Sequence, residues 1–237
     1  MALVAIAKAQ AEAGDFSAAL RTARRIEEAW WRAEALVAIA KAQVEAGEFS
    51  AALETAQGIK DAWERAMALV GIAKAQAEAG ERERARETFS AALETAQGIE
   101  EAWRRVEALG AIAKAQAEAG DFSAALETVR GIEAAWWRAE ALGAIAKAQA
   151  EAGLGEGAVR TAEMILTDRN KRLPEIAEAL VIAGDKEHFK QLLLPCAYYL
   201  DAAYKMCGLL ARLYPKQVLA VAEVVRGKVK SESGEQL

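Results

Sequence analysis

A short string that recurs along the chain is the feature that most limits its fold. The string Ile-Ala-Lys-Ala-Gln begins at Ile6, Ile39, Ile72, Ile112 and Ile145. The starts are evenly spaced, except that the step from Ile72 to Ile112 is longer than the others. A repeat unit of about 33 residues is one supersecondary element, which buries its apolar face only against its neighbours. The sequence therefore predicts a stacked repeat array.

Each copy has the pattern of two helices. Gly47 stands where the first helix of one copy ends and Gly58 where the second ends, and glycine favours the position just past a helix. The second helix is amphipathic, whereas the first has a wide arc of small apolar residues and one narrow polar stripe. We predict an all-α fold of about 14 helices. The predicted copies lie near 1–26, 27–59, 60–99, 100–132 and 133–165.

These residues resemble the tetratricopeptide repeat (TPR), a helical-hairpin repeat of about 34 residues. The leucine and small-residue pair of that family corresponds to Ile39 and Ala40, and its second-helix alanine to Ala52. The family's tyrosine is replaced by Gln43, and its terminal proline is absent. The resemblance covers roughly residues 1–165. It implies a right-handed α-solenoid of stacked antiparallel hairpins, with a concave groove that holds a peptide.

The one longer copy contains seven extra residues in its second helix. We assign them to the charged segment 81–87, which precedes Phe89. An insertion of this length is close to two turns, so the apolar face keeps its phase. We expect a charged helix end that protrudes about 10 Å beyond its neighbours. It is interpreted either as a solvated spacer or as a docking ridge.

The repeat pattern fades after Ile165. Residues 166–230 are predicted to form a degenerate hairpin and capping helices, because an array needs atypical ends to cover its last apolar face. Pro195 is expected to open one helix, to about Tyr214, and Pro215 another, to about Lys230. Residues 231–237 are expected to be a flexible tail.

Composition excludes several classes of protein. A net charge of −5 argues against a nucleic-acid partner. No stretch approaches the 18 uninterrupted apolar residues of a membrane-spanning helix. The first residues lack the pattern of a signal peptide. Cys196 and Cys207 stand too far apart on one predicted helix to form a disulfide, which suits a reducing compartment. We predict a cytoplasmic protein.

Residues for catalysis or metal binding do not converge in the sequence. His188 is the single histidine, and no cysteine cluster at metal-ligand spacing lies near it. Phosphate-binding glycine motifs and nucleophile motifs are absent. The carboxylates recur with the repeat, as they do on a solvated surface. We predict no enzyme activity, no catalytic residue, no metal and no cofactor.

The polar stripe of the first helices is the strongest candidate for a binding surface. We call it the charged stripe. It is either a solubilising ladder or a charge-alternating track that fixes a partner's register. Its residues are Lys8, Glu12, Glu34, Lys41, Glu45, Met67, Lys74, Glu78, Glu107, Lys114, Glu118, Glu140, Lys147 and Glu151.

Four tryptophans, which we call the tryptophan edge, recur at the start of the first helices. They are Trp30, Trp63, Trp103 and Trp136. We predict that they project near Val37, at the rim of the groove. Two interpretations remain: they anchor a partner, or each packs on the preceding second helix and fixes the stacking angle.

The predicted function is a protein-interaction scaffold that binds a peptide or protein, with neither nucleic acid nor membrane as a partner. One alternative is a self-assembly module that dimerises through its first hairpin, whose apolar face has no preceding hairpin. Another is a sensor or scaffold segment of a larger multidomain protein.

Overall fold

The computed structural model describes residues 1–221, which form helices and no strand. This confirms the predicted all-α class. A further helical segment occupies 215–221, at the end of the described range. The thirteen helices before it are α1 (Ala2–Glu12), α2 (Phe16–Arg24), α3 (Ala29–Glu45), α4 (Phe49–Gln57), α5 (Ala62–Glu78), α6 (Arg82–Gln97), α7 (Ala102–Glu118), α8 (Phe122–Arg130), α9 (Ala135–Glu151), α10 (Gly155–Glu163), α11 (Arg169–Ile182), α12 (Lys186–Ala197) and α13 (Leu200–Leu213).

The turn inside each hairpin depends on a glycine in the left-handed region. Gly47 has φ +76° and its amide donates to the carbonyl of Val44, while the amide of Glu48 donates to that of Gln43. Only glycine adopts this conformation without strain. Gly58, which ends α4, is different, because its φ is −72° in the ordinary helical region.

Consecutive helices pack as neighbours, and the first helices of successive hairpins also pack on one another. In the unit Met1–Ile145, α1 contacts α3, α3 contacts α5, and α5 contacts α7. Alanines line these crossings, and small side chains let two helices approach closely. Ile39, Ile72 and Ile112 are 0–1% exposed, so the recurring isoleucine forms the core.

A buried hydrogen bond links the two helices of every hairpin in the array. The hydroxyl of Thr55 donates to the side-chain oxygen of Gln43 at 2.7 Å. The same bond joins Thr22 to Gln10, Thr88 to Gln76, Thr128 to Gln116 and Thr161 to Gln149. The recurring glutamine of each copy therefore has a defined role: it fixes the register of the two helices.

An arginine connects each hairpin to the helix that follows. The guanidinium of Arg65 donates to the carbonyl of Ile59 at 2.8 Å, at the end of α4. Orphan carbonyls at a helix C-terminus need such donors. Arg32, Arg105 and Arg138 make the same bond to Ile26, Ile99 and Ile132.

The predicted charged end of the long helix is wrong. Within α6, Thr88 makes the buried bond to Gln76, and Ala85 and Phe89 are 2% exposed. Thr95, which matches Thr55 in the sequence repeat, donates to the carbonyl of Ala91 in its own helix instead. The segment 81–87 thus occupies the ordinary place of a second helix. The two added turns come after Thr88.

The two added turns shift the next hairpin along its axis. Lys8 on α1 bonds Glu34 in the first half of α3, whereas its counterpart Lys74 on α5 bonds Glu118, the last residue of α7. Because α6 is about 10 Å longer than the other second helices, the start of α7 is displaced along the axis of α5. Residues later in α7 therefore lie opposite Lys74. The turn before α8 moves with it, and Asp121 bonds Arg86 at 2.9 Å.

The chain divides into two compact units, Met1–Ile145 and Ala146–Leu237. The boundary between these units lies inside α9. In the second unit α11 packs on α12 and α13, and α10 packs on α11 and α12. Asp185 caps α12 by accepting from the amide of His188. The predicted tail 231–237, and the part of the last helix expected beyond residue 221, lie outside the described residues.

The predicted role of Pro195 is also wrong. It lies in the last turn of α12, and the next helix begins only at Leu200, after the extended residue Tyr199. A proline inside a helix removes one amide donor and crowds the carbonyl of the preceding turn, and here the helix ends two residues later, at Ala197. Pro215 does open a helical segment, as predicted. Cys196 and Cys207 are both free, the first buried and the second exposed.

Candidate functional site

The structure places most of the charged stripe at the surface, and part of the stripe forms the i,i+4 pairs that its spacing suggests. Lys41 and Glu45 pair within α3 at 3.9 Å, and Lys147 and Glu151 pair within α9 at 3.8 Å. These pairs are exposed and contribute only a few tenths of a kcal/mol, about 0.3–0.5.

Two lysines of the stripe instead connect neighbouring hairpins. Lys8 lies 2.6 Å from Glu34 and Lys74 lies 2.6 Å from Glu118, which Lys114 also approaches at 4.0 Å. Glu12 and Glu78, four residues after Lys8 and Lys74, are the last residues of α1 and α5, and both are exposed. The stripe is therefore a set of cross-links between helices as much as a row of separate pairs.

The remaining predicted residues of the groove lie deeper. Val37 is half-buried and packs against the core of the first hairpins. Its counterparts Val4 and Val70 are 5% and 6% exposed, so the side chains at this position do not line an open groove in the first three copies. In the fourth copy Gly110 stands there, and a Cβ at Gly110 would meet no atom within 4 Å. Three stripe residues at one equivalent position, Met67, Glu107 and Glu140, are half-buried.

The tryptophan edge presents large apolar side chains to solvent. Trp30 is 59% exposed, Trp103 63% and Trp136 48%. Trp63 is half-buried, and its indole N–H is buried without a hydrogen-bond partner. Trp136 contacts Trp137 edge to face, with ring centroids 4.8 Å apart. A soluble domain seldom exposes several large aromatics at equivalent places unless something covers them.

One arginine fills the space between two tryptophans of the edge. The guanidinium carbon of Arg104 lies 5.8 Å from the ring centroid of Trp63 and 5.4 Å from that of Trp103. The same guanidinium donates to the Asp61 carboxylate at 3.1 Å. This is a cation–π arrangement completed by an ion pair. Sequence reasoning missed it, because Arg104 stands at a first-helix position that is Trp, Glu or Arg in different copies.

A glutamate holds the matching position one copy earlier. Glu64 is the counterpart of Arg104, and the pKa of its carboxyl is raised above the usual range. Burial is the main cause, and the carboxylates of Asp61 and Glu34 add to it, while Arg104 opposes them. Glu34 lies four residues after Trp30, on the same face of α3. Glu64 therefore shares one charged cluster with Asp61 and Arg104, and Glu34 itself is paired with Lys8.

Two clefts accompany the long helix and were not predicted. One lies between α4 and α6 over α5, with Leu53, Leu69 and Glu94 among its lining residues. The other lies where the turn before α8 meets α6, between Phe89 and Gly120. Both follow from the two added turns, since a uniform repeat would leave no such step. The extra length of one copy in the sequence is the signal for them.

Histidine, cysteine and the carboxylates are the other side chains with reactive or metal-binding groups. Within residues 1–221, no three or more His, Cys, Asp or Glu side chains are grouped as metal ligands. The Nδ1 atom of His188 lies 2.7 Å from the carboxylate of Asp185, which also caps α12. Burial raises the pKa of the Cys196 thiol to about 11, so this cysteine is a poor nucleophile. In that same range, no helix has the length and apolar character needed to cross a bilayer.

Comparisons with known proteins add little to this geometry. Neither a family model nor a curated protein sequence matches the chain. Among solved structures, the chain is similar to the crystal structure of Ton1535 from Thermococcus onnurineus NA1. That alignment covers 94% of this chain and 75% of the other, at 17% identity and a TM-score of 0.41.

Proposed function

We propose that this chain is a TPR-like, non-enzymatic scaffold of the cytoplasm that binds a protein or peptide. The binding surface is formed by the tryptophan edge and the charged stripe of the first helices. The observation that carries this proposal is the exposure of Trp30, Trp103 and Trp136, each close to half or more. Tryptophan is the residue type most enriched among the energetic anchors of protein interfaces.

The two parts of the surface have different roles in this proposal. A tryptophan supplies a large apolar contact area with few rotatable bonds, so it accounts for most of the affinity. The charged stripe alternates in sign and is exposed around Lys41 and Lys114. Exposed charges add little binding energy, but they penalise a misaligned partner. Aromatics along the edge would therefore hold the partner, and the stripe would set its register.

A selection from a displayed library of random twelve-residue peptides tests the proposal. The immobilised chain is the target, and the variant Trp103→Ala with Lys114→Glu is the counter-target. We expect enriched peptides that bind the wild-type chain at least tenfold more tightly than the variant. Both chains should show the same circular dichroism, because the two side chains are exposed.

The control reverses a charge elsewhere. Arg21 is exposed on α2, a second helix, and Arg21→Glu makes the same charge change as Lys114→Glu. Selected peptides should bind this control like the wild-type chain. If no peptide is enriched, or if the double variant binds as well as the control, the proposed surface is wrong.

A second candidate function is self-association through α1. Ile6 is 47% exposed, whereas the same residue of the next three copies is 0–1% exposed beneath the preceding hairpin. This face of α1 fits another helical hairpin, such as that of a second copy of the chain. Light scattering over a tenfold concentration range should then show a dimer of about twice the 25.4 kDa chain mass. Ile6→Glu should abolish it, and a monomer throughout would contradict this candidate.

A further inference from the structure

An apolar patch surrounds the turn between α12 and α13, in the second unit of the chain. Tyr198 follows the last residue of α12, and Tyr199 has an extended backbone, so neither side chain is held on the packed face of a helix. Tyr198, Leu200 and Tyr204 are 80–88% exposed, and the last two lie one turn apart on α13. A soluble domain seldom exposes an apolar patch of this kind unless a partner covers it.

A cleft of about 250 Å³ opens in this patch. Its lining residues are Arg169, Leu194, Pro195, Tyr198 and Tyr199. Burial raises the pKa of the Cys196 thiol and the charge of Arg169 opposes that rise, so the guanidinium lies near the end of α12. Sites for small molecules are usually larger, at roughly 300–1,000 Å³. The cleft therefore suits one or two side chains of a peptide better than a whole small molecule.

Arg169 differs from the other arginines in what its guanidinium contacts. Within residues 1–221, every other arginine that is not exposed bonds a carbonyl or pairs with a carboxylate. Arg169 is half-buried, yet it has no hydrogen bond or ion pair with any residue of that range, not even with Asp168 before it. A guanidinium partly withdrawn from water gains most from a carboxylate, which accepts two parallel hydrogen bonds from it.

We propose that this cleft binds a segment of a partner protein in which a glutamate or aspartate stands next to a large apolar residue. The carboxylate pairs with Arg169, and the apolar side chain lies on the rings of Tyr198 and Tyr199. Charge complementarity selects this partner, because Arg169 is the one charged residue among the described residues that line the cleft. The inference does not rest on the proposed function, since the cleft lies in the second unit, apart from the tryptophan edge of Trp30, Trp63 and Trp103.

Fluorescence anisotropy of labelled peptides tests the inference. The probe is acetyl-(Gly-Ser-Leu-Glu)4-amide, and two matched peptides replace every glutamate by glutamine or every leucine by serine. We expect the probe to bind about tenfold more tightly than either matched peptide, because each of these lacks one of the two contacts. Binding of the probe should weaken when NaCl is raised from about 50 to about 300 mM.

Two variants with the same charge change separate a site from a general field. Arg169→Gln should weaken binding of the probe about tenfold. Lys171→Gln, at an exposed position two residues later on the same helix, should change it twofold or less. Equal losses for these two variants would overturn the inference, as would equal binding of the glutamate and glutamine peptides.

A second pair of variants tests the aromatic wall. Tyr198→Ala should weaken binding about tenfold with unchanged circular dichroism, because the ring is mostly exposed. Trp103→Ala, which removes an exposed aromatic of the tryptophan edge, should leave binding of the probe unchanged.

Other occupants of the cleft would give different results. If light scattering shows a dimer that Tyr198→Ala abolishes, the patch is an interface between two copies of the chain and the inference is wrong. If none of the peptides binds, the inference also fails, whether the cleft stays open or another part of the chain covers it.

Discussion

Two junctions of the array join hairpins of nearly the same sequence in different ways. At the short junction, between α1 and α3, the copies follow at the ordinary interval and Lys8 pairs with Glu34. At the long junction, between α5 and α7, Lys74 pairs with Glu118 in place of Glu107, the counterpart of Glu34. The added length is close to two helical turns, so the same faces meet but at a different level. Identical side chains thus acquire new partners through a change of length alone.

The change of length also determines which residues of the tryptophan edge are in contact. At the long junction Arg104 lies over two indole rings and pairs with Asp61. Between α3 and α5, where the copies again follow at the ordinary interval, Glu64 stands in the corresponding position with a raised pKa. Because Arg104 also acts on Glu64, the two counterparts lie in one charged cluster with Asp61, and they have different neighbours although they stand at the same place in the repeat. A surface built from repeated copies can therefore carry distinct sites.

Deleting residues 89–95 should have the largest effect, because it converts the long junction into a short one. It joins Thr88 to Ala96, and the sequence that follows then matches the one after Thr55. We expect α7 to move back by about 10 Å and Lys74 to pair with Glu107. Carbodiimide cross-linking, which joins a lysine to a contacting glutamate, followed by mass spectrometry reports the partner directly.

The internal standard for that experiment is the cross-link between Lys8 and Glu34, which the deletion should leave unchanged. The wild-type chain should yield Lys74 joined to Glu118, and the shortened chain should not. A shortened chain that still joins Lys74 to Glu118 would show that the length of α6 does not set the level of α7.

Thr88→Val should have the next largest effect, since it tests which part of α6 belongs to the ordinary hairpin. The change keeps the side-chain shape but leaves the buried oxygen of Gln76 without its donor. We expect a loss of about 1–3 kcal/mol in the free energy of unfolding. Thr95→Val, whose hydroxyl bonds its own helix, should cost about 0.5 kcal/mol or less. Urea unfolding followed by circular dichroism measures both, and a larger loss for Thr95→Val would reverse the assigned register.

Glu64→Gln should have the smallest effect, and the size of that effect depends on pH. The pKa of Glu64 is raised on folding, so its charged form opposes folding at pH 7 and its neutral form does not. We expect the amide to raise Tm slightly at pH 7. The gain should fade as pH drops through the raised pKa, and at pH 3 wild type and variant should melt alike. Glu101→Gln, at the exposed N-cap of α7, is the control that removes one glutamate charge elsewhere, and at pH 7 it should raise Tm less than Glu64→Gln does.

Much of this fold follows from the sequence, because period and helix endings are local signals. The recurring string, the glycine after it and the caps at Asp15 and Asp121 mark helices at the positions where the structure has them. The place of the extra residues was not predictable in this way. Repeat matching aligns Phe89 with Phe49, whereas packing aligns Phe89 with Ala56, because the buried bond selects Thr88. A heptad insertion leaves both alignments in phase, so only contacts decide between them.

The candidate surface was partly predictable for a similar reason. Recurrence in the sequence identified Trp30 and Trp103. Their exposure depends on how the helices pack, so the repeat period alone does not predict it. The contact of Arg104 with Trp63 depends on the position of α7 along the axis of α5, which is set by helix packing and not by local sequence. The partners of Lys8 and Lys74 escaped prediction because local spacing favours i to i+4 pairs.

The buried bond between glutamine and threonine has a consequence for how such a chain finds its native state. Every copy offers the same acceptor and the same donor, so Gln43 is chemically able to accept from Thr22 or Thr88 as well as from Thr55. A growing or refolding chain can therefore skip a copy and trap a misassembled intermediate, a known hazard of near-identical tandem units. The short loop between Gln43 and Thr55 keeps the correct closure fastest. Among the second helices of the described array, α6 alone has its length. The hairpin that contains α6 is therefore the one copy that differs from the others during folding.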